Sequence, residues 1–291
     1  MYLEKSFYEK QNIVVPQDII LETENSVLLP TYLALYIMAV PDMDLAYNRE
    51  LTLQWLCKSI KIFHKVQPRK MHYDMVIDAL HYLESKKYIT LYHFTMKSTN
   101  RFSYTFAENL KKEITDNNDE NKCRFAFLNV IELRNLLNHM LESDKNWKTT
   151  SKALTVYTYL KLEGATWQYK NHCEKTPVWV GYMSGISKRL HVSVSTITNI
   201  IKYLKEMNFI MPVYGVQNSD GSRTAPTILV FRELCNGDEE KVIKECQSAI
   251  KNEDDHIKWY YTGYTPAAKK SGNGNYDETA LDVVCDEDEL Y

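Results

Sequence analysis

The sequence predicts a mainly helical α+β protein in which two similar domains follow one another and are joined by a helical linker. The first observation is an internal repeat at an offset of 121 residues, such as Leu33 and Leu154. The second is that helical apolar spacing is followed in both copies by two short strand-like runs. The third is composition, because 291 residues with 44% hydrophobic and 25% charged positions suffice for two ordinary domains.

The repeat is defined by apolar positions in two helices of each copy. Leu33 and Tyr36 align with Leu154 and Tyr157 in a first helix. Five positions of a third helix align as well, namely Val76, Ala79, Leu80, Tyr82 and Leu83 with Ile197, Ile200, Ile201, Tyr203 and Leu204. Both copies then continue into a strand, a polar turn and a second strand, which ends at Phe106 or Phe231. Two amphipathic helices align in some register by chance, but this common order predicts two domains of one architecture.

The stretch from Ser187 to Ile210 is the most informative part of the second copy. It turns at His191 and Val192 and then carries one apolar stripe at helical spacing, formed by Ile197, Ile200, Ile201 and Leu204. Ser193 is the predicted N-cap, because its hydroxyl can accept from the backbone N–H of Ser195 or Thr196. The outward positions include no acidic residue and are small or hydrogen-bonding apart from Val194; they are Val194, Ser195, Thr198, Asn199 and Lys202.

The neighbours of this stretch supply the rest of a domain. A first helix is predicted from Lys152 to Leu162, and two strands, Met211 to Tyr214 and Thr227 to Phe231, flank the polar turn from Gln217 to Arg223. The segment from Lys145 to Arg232 carries 12 Lys and Arg against 4 Asp and Glu, a local charge of +8 in a chain of −3. Basic charge is therefore concentrated in this domain.

A short helix, a turn, a capped helix with a small polar face and a hairpin together resemble the helix-turn-helix of bacterial winged-helix proteins. The resemblance implies that the capped helix enters the major groove of double-stranded DNA and that the hairpins form small β wings. The predicted DNA-binding residues are Lys188, Arg189, Ser193, Val194, Ser195, Thr196, Thr198, Asn199, Lys202 and Arg223, with Arg69, Lys70 and Arg101 in the first domain. The alternative is an amphipathic helix pair that only packs.

The first domain differs on the face of its third helix, which reads Tyr73, Asp74, Ile77, Asp78 and His81. Two carboxylates there would repel phosphate, and an exposed Ile77 would suit contact with a protein. The charge from Pro30 to Ala107 is 10 Lys and Arg against 6 Asp and Glu, or +4, so an auxiliary phosphate contact stays open. We expect this domain or the linker helix to form a homodimer.

The linker helix is predicted from Cys123 to Ser143, with apolar residues around much of its circumference. Such a helix has to be covered on more than one side, either between the two domains or across a dimer interface. The predicted boundaries are a first winged-helix domain with an N-terminal arm at 1–110, a polar loop and linker helix at 111–150, a second winged-helix domain at 151–232, a helix and aromatic segment at 233–270 and a tail at 271–291.

Two features follow the second domain. The aromatic run from Trp259 to Tyr264 either stacks on unpaired bases or docks this segment onto a domain. From Ser271 onward the chain holds 7 acidic residues and no Lys or Arg, so a disordered tail is expected. An acidic tail of this kind could recruit a replication protein, screen the basic face or aid solubility.

The sequence contains little evidence for catalysis, for a cofactor site or for a membrane-spanning segment. No glycine precedes a lysine, which excludes the common phosphate-binding loop, and the 6 cysteines show no C-x-x-C and no zinc-ligand spacing. We expect free thiols in the cytoplasm, no metal and no cofactor, and a binding protein and not an enzyme. The longest apolar run, Val27 to Val40, is too short to span a membrane, and no signal peptide is recognisable.

Two winged helices in tandem resemble the replication initiators of theta-type plasmids. That resemblance implies binding to repeated origin sites, a dimer-to-monomer switch and no cofactor, although the acidic tail is not part of the family pattern. The alternatives are a transcriptional regulator of a mobile element and a phage-type replisome organiser that recruits a helicase through the tail. Tandem direct repeats in the bound DNA would favour initiation, and an inverted repeat over a promoter would favour regulation.

Overall fold

The computed structural model describes residues 12–39, 50–63, 66–107, 125–142, 145–170, 178–216, 227–231, 240–244 and 258–261. Helices and small antiparallel sheets make up these ranges, so the predicted α+β class is confirmed. The chain divides into two compact units, Met1–Glu163 (unit 1) and Gly164–Tyr291 (unit 2). Among the helices described, none combines the length and the apolar composition needed to cross a membrane.

Within its described residues, unit 1 contains two small sheets and six α-helical segments, the last of which continues into unit 2. Its elements are β1 (Asn12–Pro16), α1 (Gln17–Leu21), α2 (Leu28–Ala39), β2 (Leu51–Thr52), α3 (Leu53–Ser59), a 3-10 turn (Lys61–Phe63), α4 (Lys70–Ser85), β3 (Ile89–Tyr92), β4 (Arg101–Phe106), β5 (Phe125–Asn129), α5 (Val130–Glu142) and α6 (Trp147–Lys170). One sheet has the order β2-β4-β3, and the other pairs β1 with β5.

The core of unit 1 forms around α2, which is buried on most sides. A buried tyrosine side chain is largely apolar, but its hydroxyl needs a hydrogen-bond partner. Tyr32 donates to the carbonyl oxygen of Val14, and Tyr104 donates to that of Leu35 over 2.7 Å. The ring of Phe106 stands edge-on to that of Tyr32, with centroids 5.8 Å apart. These contacts fix α2 against β1 and the β2-β4-β3 sheet.

The prediction of a helix from Cys123 to Ser143 is wrong at its start. Residues Phe125–Asn129 form β5, which pairs antiparallel with β1 from Pro16↔Phe125 to Asn12↔Asn129. Alternate residues Ala126 and Leu128 are buried, as expected for a strand with one covered face. The strand ends at Asn129, whose side-chain oxygen accepts from the backbone N–H of Ile131 over 2.8 Å and so begins α5.

Because the strand accounts for Phe125 to Leu128, the remaining helix α5 has an ordinary single apolar stripe. Its buried side chains are Val130, Leu133, Leu136, Leu137 and Met140, whereas Arg134, Asn135, Asn138 and His139 are exposed. The apolar pattern that predicted burial on two sides combined the two-residue period of a strand with the 3.6-residue period of a helix. The apolar pattern of α5 therefore does not require cover on two sides, and the homodimer stays a prediction.

A buried ionic cluster joins α5 to α6. The Nζ of Lys161 lies 2.6 Å from Oε1 of Glu132, and the Tyr157 hydroxyl donates to the same oxygen. Both charged side chains are almost fully buried, 6% and 4% exposed. This cluster, with the Ser151 hydroxyl donating to the carbonyl oxygen of Ser26, holds the first part of α6 in unit 1.

The boundary between the compact units consequently falls inside α6, after Glu163, and differs from the sequence boundary at residue 150. The helix itself is longer than the predicted segment from Lys152 to Leu162, because it begins at Trp147 and ends at Lys170. Beyond the boundary, Gly164 lies so close to the next strand that an added Cβ would stand 2.9 Å from the carbonyl oxygen of Val178. A side chain at that position would force the helix away.

His72 is buried at the start of α4 and is expected to make stability depend on pH. Its Nδ1 accepts from the backbone N–H of Arg69 over 2.9 Å, and its ring lies 5.0 Å from that of Phe63 and 5.6 Å from that of Trp147. Burial, and then the charge of Arg69, lower the pKa of His72 below its ordinary 6.5. The folded protein therefore keeps this imidazole neutral at a pH where the unfolded chain protonates it.

We expect the free energy of unfolding to be highest above pH 6.5 and to fall as the pH drops towards the lower folded pKa of His72. The substitution His72→Gln keeps an acceptor for the Arg69 N–H but cannot titrate. Urea titrations between pH 7.5 and 5.5 should show a smaller loss of stability in this variant than in the parent. Equal losses would mean that another group causes the acid sensitivity.

The described residues of unit 2 form one sheet and, after α6, two helices and a short helical segment. Its elements are β6 (Val178–Gly181), α7 (Met183–Leu190), α8 (Val194–Glu206), β7 (Ile210–Val216), β8 (Thr227–Phe231) and β9 (Lys258–Tyr261), and the sheet order is β6-β8-β7-β9. Residues 240–244 are helical, and Ile243 packs on the buried sheet residues Val178, Val213, Ile228 and Val230.

The same order of elements occurs twice along the described part of the chain, the second time beginning with α6, most of which belongs to unit 1. A long helix, a short strand, two helices and a hairpin follow one another as α2-β2-α3-α4-β3-β4 and as α6-β6-α7-α8-β7-β8. In both sheets the last strand of the series lies between the other two, as β2-β4-β3 and as β6-β8-β7. This is the order that the sequence repeat predicts, and it includes one short strand per unit that the repeat did not predict.

Three further predictions concern Ile77, the aromatic run, and the polar turn and acidic tail. Ile77 was expected on the exposed face of α4 but is only 8% exposed, since α4 packs against both α2 and α3 and buries a broad face. The predicted aromatic segment does dock on a domain through its backbone, because β9 pairs with β7 from Val213↔Tyr261 to Val216↔Lys258. The polar turn from Gln217 to Arg223 and the acidic tail lie outside the described residues.

Candidate nucleic-acid interface

The two short helices α7 and α8 are joined by a tight turn at His191. His191 adopts a left-handed backbone conformation (φ 52°, ψ 39°) and ends α7, and the N–H of Val192 returns to the carbonyl oxygen of Ser187 over 3.2 Å. Buried Ile186 and Leu190 fix α7 to unit 2, and the turn sets the direction in which α8 starts. The predicted turn at His191 and Val192 is confirmed.

Ser193 caps α8 as predicted. Its Oγ accepts from the backbone N–H of Thr196 over 3.2 Å and lies 2.8 Å from the Thr196 hydroxyl and 3.1 Å from that of Ser195. The buried stripe is also as predicted, with Ile197, Ile200, Ile201, Tyr203 and Leu204 covered. The hydroxyl of Ser193 is thus engaged in holding the first turn of the helix.

The opposite face of α8 is open. Val194, Ser195, Asn199 and Lys202 are exposed, and Thr198 is half-buried. Val194 is the notable member, because 46% of this apolar residue is exposed on an otherwise polar face. Ser, Asn and Lys are side-chain types that can hydrogen-bond to base edges in a major groove.

The charge around this face is mostly positive. Lys188 and Arg189 are exposed in the last turn of α7, where the helix dipole favours cations. Lys202 and Lys205 follow on α8, and the sequence from Met183 to Lys205 contains no Asp or Glu. The helix pair therefore carries four cations, with the exposed carboxylate of Glu206 at the end of α8 beside them.

Removing the cap should measurably loosen α8. We expect Ser193→Ala to lower the free energy of unfolding by about 1 kcal/mol, because the Thr196 N–H loses its acceptor. Ser195→Ala is the matched control, since its exposed hydroxyl contacts the Ser193 hydroxyl and not the Thr196 N–H. Chemical denaturation of both variants provides the measurement. A larger loss for Ser195→Ala would show that the cap is assigned to the wrong serine.

The predicted residues of the first domain are not gathered into a comparable surface. Arg69 and Lys70 are exposed at the start of α4, where cations oppose the helix dipole. Arg101 pairs with Glu50, its Nη1 lying 2.9 Å from Oε2, so a phosphate would have to compete with that carboxylate. Arg223, assigned to the second domain, lies outside the described residues.

Sequence reasoning missed Tyr182 and the first turn of α7. Tyr182 lies between β6 and α7 with 50% of its surface exposed, and Ser184 and Gly185 beside it are exposed too. A Cβ at Gly185 would meet no atom within 4 Å, so this part of the helix is open to a ligand. No periodicity marks such residues in the sequence, because their exposure depends on where β6 ends.

Other kinds of site find less support in the described part of the chain. No group of three or more His, Cys, Asp or Glu lies together there as a metal site would require. A cavity of about 80 Å³ between α2, α5 and the start of α6 is lined by apolar groups and by Ser59, whose hydroxyl already donates to Trp55. Burial raises the pKa of Cys57 to about 12, which keeps this thiol unreactive.

Comparisons with models of protein families, with characterised proteins and with solved structures find no match for this chain.

Proposed function

We propose that the protein binds double-stranded DNA sequence-specifically, with α8 in the major groove and the end of α7 on the phosphate backbone. The proposal rests on the exposed face of α8, where small hydrogen-bonding side chains lie next to lysine and arginine side chains. Phosphate contacts by Lys188 and Arg189 would position the helix, and base contacts by Ser195 and Asn199 would specify the sequence.

We infer further that each unit is a winged helix. Support comes from the shared order of elements and from the strand order, in which a hairpin follows the third helix of each series. On this assignment the β7–β8 hairpin is the wing of unit 2, and unit 1 repeats the arrangement with the acidic residues Asp74 and Asp78 exposed on α4. Unit 2 is then the main reader of DNA.

As its biological role we propose the initiation of replication of a plasmid or other mobile element by binding origin repeats. Support for this role comes from the order of elements that occurs twice in the chain, because the theta-type plasmid initiators that the sequence resembles carry two winged helices in tandem. Mapping the bound DNA tests it. Direct repeats within an origin agree with initiation, whereas an inverted repeat over a promoter would replace it with transcriptional regulation.

Direct evidence for DNA binding would come from the full chain with the two cations of α7 removed. We expect Lys188→Ala with Arg189→Ala to weaken binding to cognate and random duplexes alike. The slope of log affinity against log salt should become shallower by roughly 2, since about one counterion is released per phosphate contact. Fluorescence anisotropy at several salt concentrations measures both quantities.

The matched control removes two exposed cations elsewhere, by Lys86→Gln with Lys241→Gln. This variant has the same net charge, so it should bind with nearly the parental slope if the contacts are local. An equal loss of affinity and slope in both variants would indicate general attraction to DNA without a defined interface at α7.

A further inference from the structure

The face of α8 carries a small apolar strip within its polar surface. Val194 and Thr198 are one helical turn apart, so their side chains lie next to one another. Single exposed apolar residues are common on protein surfaces. Here, however, the exposed valine stands at the first position of the helix that is proposed to enter the groove.

The hydroxyl of Thr198 is already engaged by the helix itself. Its Oγ1 donates to the carbonyl oxygen of Val194 over 3.0 Å, a common bond for threonine within a helix. Thr198 can therefore contact a ligand chiefly through its methyl group. Together with the two methyl groups of Val194, it forms an apolar strip beside the polar side chains of Ser195 and Asn199.

We propose that α8 reads A·T base pairs, with Val194 and Thr198 in contact with thymine methyl groups and Asn199 hydrogen-bonded to adenine. The thymine C5-methyl is the apolar group among the features that base edges present in the major groove, and an amide matches the N6 and N7 pattern of adenine. The exposed face of α8 contains no arginine, and its lysines, which could also bind guanine, lie in the second half of the helix. This inference rests on the proposed function and adds the base preference.

The experiment uses the full chain and a duplex selected from a random library by binding to it. Each thymine of that duplex is then replaced by uracil, which removes the methyl group and keeps the base pairing. We expect uracil at one or two positions to weaken parental binding about fourfold each, the effect of one methyl group withdrawn from an apolar contact. In Val194→Ala, uracil at the position that Val194 contacts should have no effect on affinity. In Thr198→Ser, uracil at the position that Thr198 contacts should likewise have no effect.

Thr198 offers a matched pair of variants. Thr198→Ser keeps the hydroxyl bond to the helix and removes only the methyl group, whereas Thr198→Val keeps a methyl group and removes the hydroxyl. Thr198→Val should therefore distinguish thymine from uracil as the parent does.

The inference is overturned if no uracil replacement changes parental affinity, or if the loss persists unchanged in both Val194→Ala and Thr198→Ser. Those results would leave duplex binding itself intact. Failure of the library to yield any bound duplex would instead overturn the proposed function and this inference with it.

Discussion

Substituting Glu132 by leucine should lower the free energy of unfolding by about 3–5 kcal/mol, the largest effect that we expect from a single change in this protein. The carboxylate is buried, lies 2.6 Å from Nζ of Lys161 and accepts from the Tyr157 hydroxyl. Its removal leaves an ammonium group in a site that is nearly closed to water. The cost is therefore mainly that of a buried ammonium group that has lost its carboxylate partner.

The double variant Glu132→Leu with Lys161→Met separates this cost from lost packing. Because both charges are then gone, we expect stability to return to within about 1–2 kcal/mol of the parent, as apolar replacements of buried pairs often do. Urea unfolding at neutral pH measures all members of the cycle. A double variant that loses as much as the two single variants together would show that the two charges are not coupled.

The second large effect is expected for Asn199→Ala. If the exposed amide contacts a base edge, its removal should weaken binding to the preferred duplex by about 1–3 kcal/mol and leave random duplexes unaffected. The ratio of the two affinities, measured by competition, is the quantity that should fall. Stability should change little, because Asn199 is exposed and alanine favours a helix.

Asn135→Ala makes the same chemical change on an exposed position of α5 and serves as the control. Its affinity ratio should equal that of the parent. If Asn199→Ala also keeps the parental ratio, α8 is not the helix that reads the sequence, and the proposed placement in the groove has to be abandoned.

The features of α8 were predictable because they are local. Ser193 is followed by a regular stripe from Ile197 to Leu204, and a serine before such a stripe is a strong start signal for a helix. The hairpin strands were predictable for a similar reason, since β8 coincides with the run from Thr227 to Phe231. The exposed face of α8 then follows from its buried face by geometry alone.

Features that depend on distant parts of the chain were not predictable in this way. The run from Phe125 to Leu128 is compatible with either period, and only its pairing with β1 decides that it is a strand. Ile77 lies on the less apolar side of α4, yet packing by two other helices buries it. Lys161 lies within an amphipathic helix, where a charged residue usually faces water, and nothing in the local sequence points to Glu132.

The pairing of β1 with β5 also determines when unit 1 can be completed during synthesis. Pro16 leaves the ribosome 109 residues before its partner Phe125, a delay on the order of 5–20 s at ordinary rates of translation. Throughout that interval β1 lacks the strand that will pair with its edge. Its apolar residues include Ile13 and Val15. A ribosome that stalls before codon 125 would therefore present a nascent chain with an unpaired strand, and such chains are the natural clients of ribosome-bound chaperones.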